Sequence, residues 1–149
     1  MKEETKLSED FTLTAPCGIY CGDCECYKAK DDPKLLAYLV SAAPALKEGL
    51  PCAGCRRVAG KCPAVGDICA TYTCTLEHQV DFCFECLEFP CGKLNPSADR
   101  ANRLPHNMKV FNLCHIKNYG LEKFVAQQPE IRRKYYKGKM IIGNGPHIE

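Results

Sequence analysis

The chain has no tryptophan, only four histidines and few of the side chains that build a greasy interior. Val, Ile, Leu and Phe supply about a fifth of the 149 residues, close to the level at which chains stop folding on a core alone. The apolar content of 46% looks ordinary only because it counts cysteine. No apolar run approaches bilayer-spanning length, which argues against a helical membrane protein. No apolar h-region follows the charged start Met1-Lys2-Glu3-Glu4-Thr5-Lys6, which reads as a chain without a signal peptide, cytoplasmic and with reduced thiols. No glycine-rich phosphate loop, Ser/His/Asp set or paired carboxylates stand out, so no catalytic residue is assigned and enzymatic activity is left open.

What is abundant is cysteine. There are 13, and all but Cys114 lie between Cys17 and Cys91 in three groups. The groups run Cys17-x3-Cys21-x2-Cys24-x-Cys26, then Cys52-x2-Cys55-x6-Cys62-x6-Cys69-x4-Cys74, then Cys83-x2-Cys86-x4-Cys91. Two thiols at a two-residue gap can share one tetrahedral ion, and that gap recurs as Cys21/Cys24, Cys52/Cys55 and Cys83/Cys86. An odd count and a missing secretion signal argue against a disulfide framework. Gly22 and Gly54 stand where amide groups must turn towards sulfur, and such N–H groups stabilise thiolates. The candidate ligands are Cys17, Cys21, Cys24, Cys52, Cys55, Cys62, Cys69, Cys83, Cys86 and Cys91. One pairing puts Cys52, Cys55, Cys62 and Cys69 on one ion and joins the first and third groups on another.

Zinc suits a tetrahedral thiolate set and needs no redox chemistry, so Zn2+ is the expected metal, with an iron–sulfur cluster as the alternative. The triplet Cys17/Cys21/Cys24 has the spacing of radical S-adenosylmethionine enzymes, but the chain is too short for their barrel. The second group resembles a fungal binuclear zinc cluster until Tyr72, where a further cysteine would be due. Cys26 and Cys74 read as spare ligands or reactive thiols, and Cys114 as a buried structural thiol. His78, four residues after Cys74, has ligand-like spacing but reads first as a surface helix histidine. The net charge of +2 assumes neutral thiols, and thiolates on metal would make it slightly negative, so it is no nucleic-acid signal.

The organisation follows from the punctuation. Residues 1–15 read as a polar N-terminal arm, 16–136 as a cysteine-rich metal-binding domain and 137–149 as a tail. Asp32-Pro33 is a helix start, with Leu35, Leu36, Leu39 and Val40 at helical spacing behind it and Pro44 as its end or restart. Residues 52–96 have no sustained helical period beyond a short helix over Thr71–Val80, with Tyr72, Leu76 and Val80 on one face. Helix dominates about 104–136: Leu104, Met108 and Phe111 share a face, Gly120 is a stop, and Pro129 opens a further turn. The fold expected is thus a small, mainly α, metal-stabilised domain with an irregular cysteine-rich half.

Three stretches carry a resemblance. Ala15-Pro16-Cys17-Gly18-Ile19-Tyr20-Cys21-Gly22-Asp23-Cys24, Cys52-Ala53-Gly54-Cys55-Arg56 and Phe82-Cys83-Phe84-Glu85-Cys86-Leu87-Glu88-Phe89-Pro90-Cys91 together resemble a family of small cysteine-rich prokaryotic proteins, the domain of unknown function DUF3795. The likeness extends to about Phe124. It implies a prokaryotic metal-binding protein and carries no established activity.

The functional expectation is a cytoplasmic zinc-binding protein acting as a binding or interaction module with a protein partner. The alternatives are an iron–sulfur or thiol redox protein, and a metal-dependent enzyme or enzyme subunit. The cations and tyrosines of Ile131–Lys139 could grip a nucleic acid, but read first as a solvated helix end. Arg100, Arg103, His106 and Lys109 form a smaller basic set.

Overall fold

The computed structural model describes residues 8–63, 65–94 and 108–149. About 56% of these are helical. In chain order the helices are α1 (Glu9–Leu13), α2 (Glu25–Lys28), α3 (Pro33–Ala42), α4 (Ala70–Glu77), α5 (Met108–Tyr119) and α6 (Leu121–Lys137), followed by strands β1 (Lys139–Ile141) and β2 (Gly145–His147). Short 3-10 turns at Cys21–Asp23, Pro44–Gly49, Cys83–Glu85 and Gly92–Leu94 fill the cysteine-rich half.

The main core is built by α5 and α6. Gly120, with φ +87°, ends α5 as expected and lets α6 start at once, so the two helices pack side by side. Leu113, Ile116, Phe124 and Ile131 meet Phe82 and Leu94 from the third cysteine group there. Full burial of a side chain such as Phe124 or Leu113 contributes about 1.5–3 kcal/mol. Of the face expected for α5, with Val110, Leu113 and Cys114 widening it, Met108 and Leu113 are buried, Val110 and Cys114 are half-buried and Phe111 is exposed; Asn112 and Ile116 complete the buried set, and Leu104 lies outside the described residues. Pro129 sits within one continuous helix instead of opening a new turn.

A second, smaller core of Leu13, Ala15, Cys21 and Tyr27 lies beneath the first cysteine group, and Cys17 and Tyr20 border both cores. Residues 8–15, expected to be part of a polar arm, are built in: Ser8 caps α1, Phe11 packs on the main core, and Leu13, Thr14 and Ala15 are buried. The expected tail also differs. Lys139–Ile141 and Gly145–His147 pair as an antiparallel hairpin that touches the end of α6.

Asp32 caps α3 as its sequence dictates, its Oδ1 accepting from the amides of Lys34 (3.0 Å) and Leu35 (3.1 Å), with Pro33 at the first helical position. Yet none of its residues is buried, so the Leu35/Leu39 stripe only half-covers itself. In α4 the buried side chains are Thr71 and Thr75, while Leu76, expected inward, is 62% exposed. No helix of the described residues is long and apolar enough to cross a membrane.

Candidate metal centre

The loop between Thr14 and Tyr20 is closed by an antiparallel bridge and by the Ala15 amide on the Ile19 carbonyl at 2.8 Å. Gly18 turns it, with φ +86°. The fully buried Asn112 of α5 donates through Nδ2 to the Gly18 carbonyl at 2.8 Å, fixing the first cysteine group on the helical core. The Cys83 amide donates to the Pro16 carbonyl at 3.0 Å and docks the third group beside the first.

The second group reaches the first across 34 residues. The Cys55 amide donates to Cys21 Sγ at 3.4 Å, and the Cys55 thiol bonds to both Cys21 and Cys62. Gly54, at φ +101°, points its amide at Cys52 Sγ at 3.4 Å, which is the role expected of it. Gly22 works differently: its φ is not positive, but a Cβ there would lie 2.6 Å from the Tyr20 ring. The Cys52 amide donates to the Cys26 carbonyl at 2.9 Å and zips the two groups together. Cys24 and Cys26 are hydrogen-bonded through their side chains, and Cys52 lies within electrostatic reach of Cys62, Cys21 and Cys24.

These contacts set the proton affinities. The hydrogen bond from the Cys55 thiol, helped by the Cys55 amide and opposed by burial, lowers Cys21 from the usual thiol range to about 7. Its partner Cys55 moves up, because its proton is held between Cys21 and Cys62. Burial, with Cys24 beside it, pushes Cys26 up to about 12.

The remaining thiols gather around the third group. Cys17, Cys83 and Cys91 pack against the main core. Cys83 is pushed up to about 12 by burial and then by neighbouring Cys17, Cys91, Cys74 and Cys86. Cys17 is pushed up by burial, with the Lys109 ammonium opposing and Cys69 among its neighbours. Cys21 and Cys24 lie within electrostatic reach of Cys52, and Cys17 within reach of Cys21, Cys55, Cys69 and Cys83. Cys74 receives the Lys93 ammonium at 3.2 Å. Cys114, expected to be buried, is only half-buried and lines a surface hollow with Phe111, His115 and Tyr119.

Among the described residues, one group of three His, Cys or carboxylate donors lies within 4.8 Å of one another: His78, Cys86 and Glu88. The thiols of the first two groups instead form a hydrogen-bonded line, Cys21–Cys55–Cys62. Zinc takes four such sulfurs in a tetrahedral shell, at bonds of about 2.3 Å. The donor chemistry and the two amide-to-sulfur bonds fit such an ion.

Arg56, the last residue of the Cys52–Arg56 stretch, has a role that the sequence does not assign. Its Nε donates to the Thr14 carbonyl at 2.8 Å and its Nη2 to the Asp81 carbonyl at 2.7 Å. Its guanidinium lies 4.0 Å from the Phe11 ring centre and 4.9 Å from that of Phe82. One side chain thereby clamps α1, the second cysteine group and the third. Its position directly after Cys55 is the only sequence signal it gives. The basic end of α6 is largely engaged: Lys134 pairs with Glu130 at 2.8 Å, Arg132 lies over Tyr136, and Tyr135 packs on the core. Of the smaller basic set, Arg100, Arg103 and His106 fall outside the described residues.

A small, mainly helical, cysteine-rich fold with a candidate metal site at His78, Cys86 and Glu88 defines the class of protein. The family model Protein of unknown function (DUF3795) matches residues 13–96, more than half the chain, and the chain belongs to that family. The match takes in all three cysteine groups and stops short of α5 and α6, which the resemblance had included. Neither the curated proteins nor the solved structures provide a match.

Proposed function

We propose that the protein is a cytoplasmic zinc-binding module whose thiolate-held metal is structural and whose surface binds a protein partner. The observation that carries this reading is the convergence of Cys55 on Cys21, by amide and thiol together, across 34 residues. Four ligands drawn from Cys21, Cys24, Cys52, Cys55 and Cys62 would hold one ion. The lowered proton affinity of Cys21 supplies a thiolate near neutral pH for metal capture. Cys17, Cys69, Cys83 and Cys91 would form the second thiolate set beside the main core. A closed sulfur shell leaves no position for substrate, which suits a structural role. Zinc would also make up for the sparse apolar interior, since a structural site contributes roughly 10 kcal/mol to folding.

The test is metal analysis of anaerobically purified protein, with cobalt substitution. Zinc without visible absorption, replaced by cobalt with intense sulfur-to-metal charge-transfer bands, is the expected result. Iron with acid-labile sulfide, or metal-free protein of unchanged thermal stability, would overturn the reading.

A further inference from the structure

We infer that His78, Cys86 and Glu88 form a second, surface metal site of a different kind: a borderline divalent ion held by three mixed donors, with a fourth position open to an exogenous ligand. One donor atom of each residue lies within 4.8 Å of the others, with His78 and Glu88 exposed and Cys86 half-buried. The set offers nitrogen, sulfur and oxygen. Hard ions such as Mg2+ and Ca2+ prefer all-oxygen shells, whereas zinc and cobalt accept this mixture. Three protein ligands plus water is the composition of an open zinc site, in contrast to the all-sulfur shell proposed above.

The surroundings prepare the donors. His78 stands at the carboxyl end of α4, where the helix dipole favours a cation. Its Nδ1 lies 2.9 Å from the Cys74 carbonyl oxygen and 3.6 Å from Cys74 Sγ; the tautomer that donates from Nδ1 to the carbonyl leaves the Nε2 lone pair for a metal. That backbone contact is the support by which ligating histidines are commonly oriented. Across from it, the loop bearing the other two donors is fixed from within. The Glu85 carboxylate accepts from the amides of Asp81 (2.8 Å) and Phe82 (3.2 Å), the Cys86 amide binds the Cys83 carbonyl (3.2 Å), and the Phe89 amide binds the Cys86 carbonyl (3.1 Å). Glu85 is thus occupied, while Glu88 makes no hydrogen bond or ion pair with a described residue. The three donors line a surface hollow of about 300 Å³ together with Val80, Glu85 and Leu87, which leaves room for a small fourth ligand.

The test uses the full chain with its thiolate-bound metal left in place. Cobalt(II) is titrated and bound metal is counted, with azide added at the end to probe the open position. Wild type is expected to take one cobalt equivalent beyond the thiolate-bound metal already in place, and Cys21→Ser and Cys55→Ser should keep that equivalent. His78→Ala, Glu88→Gln and Cys86→Ser should weaken that equivalent at least tenfold, with the tight equivalents intact. Azide should shift the visible spectrum of this equivalent alone. Since His78 and Glu88 are exposed, their variants should keep the wild-type urea midpoint. The inference fails if His78→Ala and Glu88→Gln match wild type in stoichiometry, affinity and spectrum, or if azide leaves the extra equivalent unchanged. A chain that lacks tight thiolate-bound zinc but keeps the azide-sensitive equivalent would overturn the structural-zinc reading and leave this one standing.

Discussion

Replacing Arg56 by alanine should destabilise the fold whether or not metal is bound. The bond to the Thr14 carbonyl joins a charged donor to a fully buried residue, a contact of about 1.5–3 kcal/mol. The bond to Asp81 is exposed and contributes about 1 kcal/mol or less. Two ring contacts, at 4.0 and 4.9 Å, add roughly 0.5 kcal/mol each. Because these share one side chain they do not simply add, and a net loss of about 2–4 kcal/mol is expected. With a urea m-value of roughly 1.5–2 kcal/mol/M for a chain of this size, the midpoint should fall by about 1–2.5 M. Arg56→Lys keeps the charge but not the planar fork, so it should restore less than half of the loss. The assay is urea unfolding of metal-loaded and chelator-treated protein in parallel. If the Arg56→Ala midpoint stays at the wild-type value in both, metal alone organises the three cysteine groups and the clamp is incidental.

Gly18→Ala should cost about 2–4 kcal/mol in thermal or urea unfolding: φ is +86°, and the new Cβ would sit 3.0 Å from Leu113 Cγ and 3.1 Å from the Lys109 carbonyl oxygen. Gly54→Ala, whose Cβ would meet nothing nearer than 3.4 Å, should cost less; equal losses would mean that contact does not matter at Gly18. Cys55→Ala should remove a tight metal equivalent and yield mostly insoluble protein, checked by soluble yield and metal content; a soluble, fully loaded variant would contradict its place at the centre of the sulfur line. In metal-free protein, stability should rise between about pH 7 and the unfolded thiol value near 8.5, because the unfolded Cys21 still holds its proton there while the folded one has lost it. Above that range the sign reverses: Cys26, Cys55 and Cys83 stay protonated in the fold while their unfolded counterparts ionise, so stability falls. Urea midpoints across pH 6–10 should therefore peak near about pH 8 and flatten on the acid side in Cys21→Ser.

Local chemistry was legible in the letters. Asp32-Pro33 announces α3 and Gly120 announces the α5–α6 turn, because each depends on neighbours in the chain. What was hidden depends on partners far away. The buried Asn112 answers a carbonyl 94 residues earlier, and nothing in its own helix marks it as interior. Thr71 and Thr75 face inward in α4 while Leu76 does not, so hydrophobic spacing chose the wrong face. His78, Cys86 and Glu88 come together only because the Cys83–Glu85 turn folds back beside the end of α4.

The Cys26 carbonyl and the Cys52 amide meet at 2.9 Å, and between them the chain makes an excursion through α3 that returns to its own starting point without burying a residue of that helix. Such a pinched stem isolates whatever hangs from it. Relatives could lengthen, shorten or exchange this appendage at the cost of little more than loop entropy, and a tag or fluorophore grafted near Ser41 would ride outside the sulfur framework.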